Sequence, residues 1–357
     1  MNNKIKALQQ SYGVKLVNSW SLKSINLHCV VFELNKQQLK STIINNISRE
    51  PYIDSVQKMQ LFQVFSTTKK SNTQSMLHLQ KGIQSLGVKK AHKIATGKNI
   101  RIAIVDSGMD VHHIEFQNNI EEVKNFVEKP SQSFTSDIHG TAIAGIIAST
   151  NTHQNGIIGV SPNARLLAFK ACWQTEQQWG KAFCNSFSLA KAINVAILRK
   201  VNILNLSLGG PYDVVIDKLI QKALSVNITV VAATGSSKNK VISFPASLPG
   251  VIAVNMQFNE DRKTLTTLSS DKKLCAPGTN IITTIPGNSY DFFSGSSLST
   301  AFVSGSIALL LEKKPDLTPE KIYNLLEKSS TNNPSSNLKN INSCAALELL
   351  TNKKICN

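Results

Sequence analysis

The sequence predicts an α/β protein, a doubly wound and mostly parallel sheet with helices on both faces, preceded by a small α+β unit. Three observations carry this. Short buried strand patterns alternate with helical patterns from about residue 100 onward, the signature of a covered parallel sheet. Residues 66–76 (STTKKSNTQSM) lose all apolar pattern and separate that region from what precedes it. The 357 residues, 41% hydrophobic and 17% charged, suffice for a large core without help from metals or disulfides.

In chain order, residues 14–17 and 27–34 (LHCVVFEL) read as strands. Residues 37–47 have helical spacing, with Leu39, Ile43, Ile44 and Ile47 on one face. Residues 56–65 (VQKMQLFQVF) alternate like a further strand. This first unit is expected to span residues 1–68, with 69–76 an exposed, protease-sensitive linker. The main unit, 77–330, offers strands at 100–105, 165–170, 202–206, 228–232 and 251–254. Helical patterns lie between and after them, at 141–148, 188–200, 214–225 and 298–313. A last helix starts with Thr318 as its cap and Pro319 at its first position. Residues 331–357 read as a C-terminal tail. In sheets of this kind functional groups collect at the carboxyl ends of the strands.

Composition excludes several classes. The 39 basic and 22 acidic residues give a net charge of +17, which raises nucleic-acid binding first. The basic residues, however, fall in scattered doublets such as Lys69-Lys70, Lys272-Lys273 and Lys353-Lys354, and no basic run is interleaved with aromatics. A solvated lysine-rich surface is expected, with no nucleic-acid partner. The longest aliphatic run near the C-terminus, Ile307 to Leu311, falls far short of the ~18–20 residues that span a bilayer. After Lys4 and Lys6 no apolar stretch of about 7–15 residues follows, so this sequence contains no secretory signal pattern. None of the six cysteines forms Cys-x-x-Cys, and no zinc-ligand spacing occurs, so no metal site is expected. Cys172 and Cys184, like Cys344 and Cys356, stand twelve apart, a spacing that permits two local disulfides in an oxidising compartment. Six reduced thiols are the alternative.

Three residues carry chemistry. Asp106 lies where the strand RIAIV runs out, in Ile104-Val-Asp-Ser-Gly-Met-Asp110. His139 opens His139-Gly-Thr-Ala-Ile-Ala-Gly145 at a helix start. Ser297 lies in Gly295-Ser-Ser-Leu-Ser-Thr-Ala-Phe-Val-Ser-Gly305, also at a helix start, where backbone N–H groups and the helix dipole favour a developing oxyanion. Singly, each is an ordinary turn, core or cap residue. Together they form an acid, a base and a nucleophile in the order Asp, His, Ser. An α/β-hydrolase would run Ser, Asp, His with Gly-x-Ser-x-Gly, but the fifth position here is Ser299.

That order on a parallel α/β scaffold resembles the subtilisin-like serine peptidases, the subtilases. The resemblance covers about residues 77–328 and includes Asn205-Leu-Ser-Leu-Gly-Gly210, Phe244-Pro-Ala246 and Ala276-Pro-Gly278. It implies that Ser297 attacks the scissile carbonyl, His139 relays the proton and Asp106 orients the imidazole. It implies too that Ser207, Leu208, Gly209 and Gly210 line the specificity pocket and pair with a peptide or protein substrate. Gapless counting places residues 182–184 at the opposite substrate edge, where a bond between Cys172 and Cys184 would brace it. His113 fits the family pattern as a structural residue, and His112 reads as surface.

There are departures. The family's oxyanion-donating Asn is replaced by Ser236 in Ala232-Ala-Thr-Gly-Ser236, which implies weakened catalysis unless Ser236, Ser237 or Asn239 substitutes. Ala142 replaces a usual His, and Ala301-Phe302 a usual Pro-His. No cofactor is required by the residues themselves. Calcium is implied only by the resemblance, and residues 151–159 match a calcium loop poorly. By size and position the first unit resembles an inhibitor-like propeptide of ferredoxin-like α+β fold, which would act as an intramolecular inhibitor and be cut within about residues 66–76. A permanently attached accessory domain is the alternative. The resemblance and the cysteine pattern imply a monomeric, secreted or periplasmic serine endopeptidase, with a catalytically silent, peptide-binding subtilase fold as the competing reading.

Overall fold

The computed structural model describes residues 2–34, 40–69, 77–116, 118–127, 134–151, 156–174, 182–235, 242–257, 272–332 and 339–356. The N-terminal segment contains α1 (Asn2–Tyr12), β1 (Lys15–Leu22), β2 (Leu27–Glu33) and α2 (Lys40–Ile47). β1 and β2 form an antiparallel hairpin from Lys15 opposite Glu33 to Leu22 opposite Leu27. Its turn ends at Asn26, whose φ of 51° lies in the left-handed region that asparagine tolerates. α1 is predominantly polar and buries only Ile5 and Leu8, so its periodicity is faint in the sequence.

The ferredoxin-like expectation needs correction among the described residues. That fold would carry a four-stranded sheet, whereas this segment has a two-stranded one. One of the two missing strands is physically accounted for. Of residues 56–65 only β3 (Leu61–Val64) is a strand, and it pairs with the main body instead of with β1 or β2. β4 (Thr67–Lys69) follows, so the linker expected from residue 69 begins inside a strand; residues 70–76 lie outside the described residues.

The main body runs α3 (Lys81–Ser85), α4 (Val88–Ala91), β5 (Arg101–Asp106), β6 (Ile120–Asn125), α5 (Ile138–Ala148), β7 (Arg165–Lys170), β8 (Cys172–Gln174) and β9 (Ala182–Asn185). It continues with α6 (Ser186–Leu198), β10 (Ile203–Leu206), β11 (Leu208–Gly209), α7 (Val214–Ser225), β12 (Thr229–Ala233), β13 (Ile252–Met256) and β14 (Lys273–Ala276). It closes with β15 (Ile281–Ile285), β16 (Ser289–Ser294), α8 (Ser296–Lys313), α9 (Pro319–Lys328), β17 (Thr331–Asn332), β18 (Lys339–Asn340) and α10 (Ser343–Thr351).

The principal sheet has the order β17-β18-β14-β13-β12-β10-β5-β7-β6, with every pair from β18 to β6 parallel. Its central strands, β5, β7, β10, β12 and β13, read as near-continuous apolar runs because both faces are covered. In β5 the alternation is visible: Ile102 and Ile104 enter the core shared with α5 and α8, while Ala103 and Val105 enter the core shared with α6 and α7. α8 is buried continuously from Ser296 to Leu311, which is why it lacks an amphipathic pattern.

The C-terminal tail is also corrected. The polar run at 329–337 interrupts the pattern, but Asn340 pairs with Cys275, and α10 buries Cys344, Ala346 and Leu347 in the main core. Two smaller sheets complete the body, β11-β3-β9-β8 and β15-β16-β4, and in both the N-terminal segment supplies a strand.

Candidate active site

Asp106 ends β5, His139 lies in the first turn of α5 and Ser297 in the first turn of α8, and all three are buried. The Asp106 carboxylate accepts from His139 Nδ1 at 2.7 Å and from the Ser107 N–H at 2.7 Å through the same oxygen, Oδ1. This closeness depends on glycine. A Cβ at Gly140 would lie 1.8 Å from the Gly108 carbonyl oxygen, and Gly108 itself has φ +115°. The loop after β5 and the start of α5 can therefore meet at backbone distance.

An ion pair, missed from the sequence, stands beside the Asp106–His139 hydrogen bond. Lys170, the last residue of β7, is fully buried; its ammonium pairs with the Asp137 carboxylate and donates to the Ser107 carbonyl. Lys170 is also in register with Asp106 on the neighbouring strand. Burial pushes the Asp137 carboxyl up to about 7, opposed by Lys170 and assisted by the charge of Asp106. The available signal is a lysine closing the otherwise apolar run LLAFK.

Ser297 is tied to the segment after β10. Its hydroxyl donates to the Ser207 carbonyl at 2.7 Å, and the Ser207 hydroxyl donates to the Ser297 carbonyl at 3.0 Å. Asn205 donates to Ser207 at 3.0 Å and accepts from Ser304 at 2.8 Å, so the Asn-Leu-Ser segment and α8 are interlocked. His139 Nε2 has no hydrogen-bond partner among the described residues. The Ser297 hydroxyl thus makes no hydrogen bond to His139.

The Ser297 hydroxyl has another partner: the Phe65 N–H donates to it at 3.0 Å. β3 lies antiparallel between β11 and β9, with Val64 opposite Leu208, Gln63 opposite both Gly209 and Phe183, and Phe62 opposite Cys184. The Phe65 ring fills a hollow that exists because Gly209 and Gly235 lack side chains. A Cβ at Gly209 would lie 2.7 Å from the ring, and one at Gly235 would lie 3.4 Å away. Phe62 packs against Gly210 and stands 6.2 Å, centroid to centroid, from Phe244. The Phe65 carbonyl oxygen lies against Gly295, where a Cβ would be 1.9 Å away.

Of the residues expected to bind substrate, Leu208, Gly209 and Gly210 run beside β3, and Ser207 bonds to Ser297. Ser236, Ser237 and Asn239 lie outside the described residues. Ala142, Ala301 and Phe302 are core residues. Cys172 is bonded to Cys184 across β8 and β9, and Cys344 to Cys356 beyond α10. Cys29 and Cys275 are unbonded, and burial pushes their thiols up to about 11 and about 12. His113 is buried between the rings of Phe116 and Tyr290, whereas His112 is exposed.

For the calcium implied by the resemblance, the described residues do not fit a cation. Among them no three His, Cys, Asp or Glu side chains converge. The buried Glu115 carboxylate already accepts from the N–H groups of Asn151 (2.7 Å) and Ile157 (3.0 Å) and from the Tyr290 hydroxyl (2.8 Å). Donors aimed at those oxygens would face the cation too. Among the described residues, no helix is long and apolar enough to cross a membrane.

A parallel α/β sheet with a carboxylate–imidazole pair at one strand end and a serine opening a buried central helix is the layout of the subtilisin-like class. The chain belongs to the subtilase family of serine peptidases: residues 97–343 match the family described as Subtilase family. It is 32% identical over 246 residues to Subtilisin E of Bacillus subtilis (strain 168), covering 66% of this chain and 61% of that protein. The same identity and length of match hold for Subtilisin of Bacillus pumilus, of which 85% is covered. The chain thus spans less than two thirds of the length of Subtilisin E. The fold is similar to that of fervidolysin from Fervidobacterium pennivorans, a keratinolytic enzyme related to subtilisin. That likeness has a TM-score of 0.77 at 21% identity and covers 98% of this chain and 60% of the other.

Proposed function

We propose that the chain is a serine endopeptidase held as a self-inhibited precursor. Its catalytic groups are Ser297, His139 and Asp106, and the bond it is poised to cut in itself joins Phe65 to Ser66. The observation that carries this reading is the Phe65 N–H donating to the Ser297 hydroxyl, with β3 threaded between β11 and β9 as a substrate strand would be. In the reaction the Ser297 hydroxyl turns from the Ser207 carbonyl to His139 Nε2 and gives up its proton there as Oγ attacks the substrate carbonyl. Asp106 holds Nδ1–H and stabilises the imidazolium. His139 then returns the proton to the leaving amine, and water releases the acyl group by the same steps in reverse. The Ser297 N–H at the start of α8 supports the oxyanion.

The N-terminal segment acts as the intramolecular inhibitor, with a peptide or protein as the later occupant, and the protein works as a monomer. Replacement of the usual oxyanion Asn by Ser236 lowers turnover. Two disulfides favour work in an oxidising compartment, secreted or periplasmic. One observation favours the second reading, a silent fold that binds peptides: the Ser297 hydroxyl engages Ser207 and Phe65 while His139 Nε2 has no partner among the described residues.

The deciding experiment is intact-mass and N-terminal analysis of the full chain as wild type and as Ser297→Ala, with fluorophosphonate labelling of each. A wild-type chain that takes the label and loses its first 65 residues, beside an uncut and unlabelled Ser297→Ala, supports the enzyme. If wild type stays uncut and unlabelled, the silent fold is correct.

A further inference from the structure

Lys170 takes no part in the steps proposed above, yet it is fully buried where β7 ends beside β5. Its ammonium has two partners, the Ser107 carbonyl and the Asp137 carboxylate. Ser107 is pinned on every side. Its N–H donates to Asp106 Oδ1 at 2.7 Å, its hydroxyl accepts from the Gly140 N–H at 3.3 Å, and its carbonyl accepts from Lys170. Asp106 Oδ2 has no partner among the described residues, so the carboxylate is oriented through Oδ1, by Ser107 and His139. What holds Ser107 therefore holds the carboxylate that meets the imidazole. The other end of the bridge is equally specific. Asp137 is the N-cap of α5, two residues before His139, and an Asp there ordinarily accepts from the first N–H groups of its helix. The N-caps Asn185, Asp213, Thr318 and Asn342 of α6, α7, α9 and α10 do so. The Asp137 carboxylate makes no such bond and goes to Lys170 instead. In the first turn of α5 the Ile138 N–H donates to Gln174 Oε1 at 2.8 Å and the Gly140 N–H to Ser107. A buried ion pair adds little to stability over apolar residues of similar volume, so stability alone does not account for this diversion.

We propose that Lys170 is a positioning residue for the acid–base pair: its ammonium bridges Ser107, which orients Asp106, and Asp137, which leads into His139, and so fixes carboxylate and imidazole against each other. The bridge joins the ends of β5 and β7 to the start of α5. It keeps the Nδ1–H of His139 on Asp106, the arrangement that leaves Nε2 free to take a proton. Lys170 touches neither the Ser297 hydroxyl nor the strands that flank β3, so its loss should slow the chemical step and leave substrate binding as it is. The inference rests on the endopeptidase reading above.

The test compares wild type with Lys170→Met, which keeps the aliphatic stem, and with the double variant Lys170→Met/Asp137→Leu, which removes both charges. Both are compatible with folding. Burial already pushes the Asp137 carboxyl up to about 7, so without Lys170 it takes up a proton, and an apolar pair commonly replaces a buried ion pair at no loss of stability. The initial rate of self-cutting, followed by intact mass, should fall by about 10²-fold in both variants, the scale of a misaligned reacting group. Once self-cut, each should show the same loss in kcat on a chromogenic peptide anilide with Phe before the scissile bond, with KM within about threefold of wild type. Unchanged rates, or a loss that appears in KM, overturn the inference. A second measurement needs no activity. In uncut Ser297→Ala with labelled histidine, proton NMR should show the His139 Nδ1–H as a slowly exchanging downfield signal, held by its charge-assisted bond to Asp106. Adding Lys170→Met should speed its exchange at least about tenfold. Exchange at the parent rate overturns the inference as well. A wild-type chain that cuts itself and takes the fluorophosphonate label, beside variants that match it, refutes only the role of Lys170; one that does neither refutes the enzyme itself.

Discussion

The Phe65 amide and the Ser297 hydroxyl, 232 residues apart in the chain, lie 3.0 Å apart. That bond puts a segment from the N-terminal unit onto Ser297, the proposed nucleophile. Phe65 reaches it because its ring enters a hollow floored by two glycines, Gly209 and Gly235.

Filling the hollow should therefore expel the ring. A Cβ at Gly209 would meet both Phe65 and the Ser243 side chain at 2.7 Å, and the larger Gly209→Val has nowhere to relax. Self-cutting should slow by about 10²-fold, on the scale of a misplaced reacting group. Phe65→Ala should slow it by about tenfold through lost burial alone. Time-resolved intact mass checks both; a Gly209→Val chain that cuts as fast as wild type would place Phe65 elsewhere.

Restoring a longer donor at residue 236 should raise turnover. Removing one oxyanion donor from a subtilisin costs ~2.7–4 kcal/mol of transition-state stabilisation. Ser236→Asn is accordingly expected to gain between about tenfold and 10³-fold in kcat with little change in KM, the reverse of that loss. A mutant that is no faster than wild type removes Ser236 from the account of activity.

Breaking the bond between Cys172 and Cys184 should loosen β9, the strand that flanks β3 on the side away from β11. The bond closes a loop with a sequence separation of 12, worth roughly 3 kcal/mol on chain-entropy grounds. The double variant with Ser at both positions should unfold several degrees lower, and the self-cut protein should show a higher KM for long peptides. A lower unfolding midpoint with an unchanged KM would mean that β9 keeps its place without the bond.

Asp137 should leave a mark on stability as a function of pH. Its carboxyl titrates near 7 in the folded chain, because burial raises it from an ordinary value of 3.8. Between those two values the folded state holds a proton that the unfolded chain has released. Wild-type stability should therefore fall as pH rises through this window, by at most about 1.4 kcal/mol per pH unit, and level off above about 7. Asp137→Asn cannot titrate, so its denaturant midpoint should change less over the same range. An identical slope in the two proteins would assign the pH dependence to another group.

Much of this protein is legible in its sequence. The largely apolar runs that form β5, β7, β10, β12 and β13 are readable because a strand covered on both faces has few polar positions. The helix at α7 is equally plain, since Asp213 caps it through bonds to Val215 and Ile216 and one face is apolar. Asp106, His139 and Ser297 stand out because their local motifs and order are themselves sequence properties. β6, β8, β9 and β16 are not readable: they are short or mixed in polarity, and partner strands distant in sequence hold them in place.

The sequence by itself determined the fold class and singled out Asp106, His139 and Ser297 in that order as the candidates for chemistry, because local patterning and motif spacing survive without any knowledge of contacts. Only the tertiary structure decided where residues 61–69 go, that Lys170 pairs with Asp137, and that Ser297 faces Phe65 and Ser207 while His139 Nε2 has no partner among the described residues. Each of these is a meeting of groups far apart in the chain, and such a meeting depends on backbone edges, glycine-sized gaps and buried charge, which exist only once the sheet has closed around them.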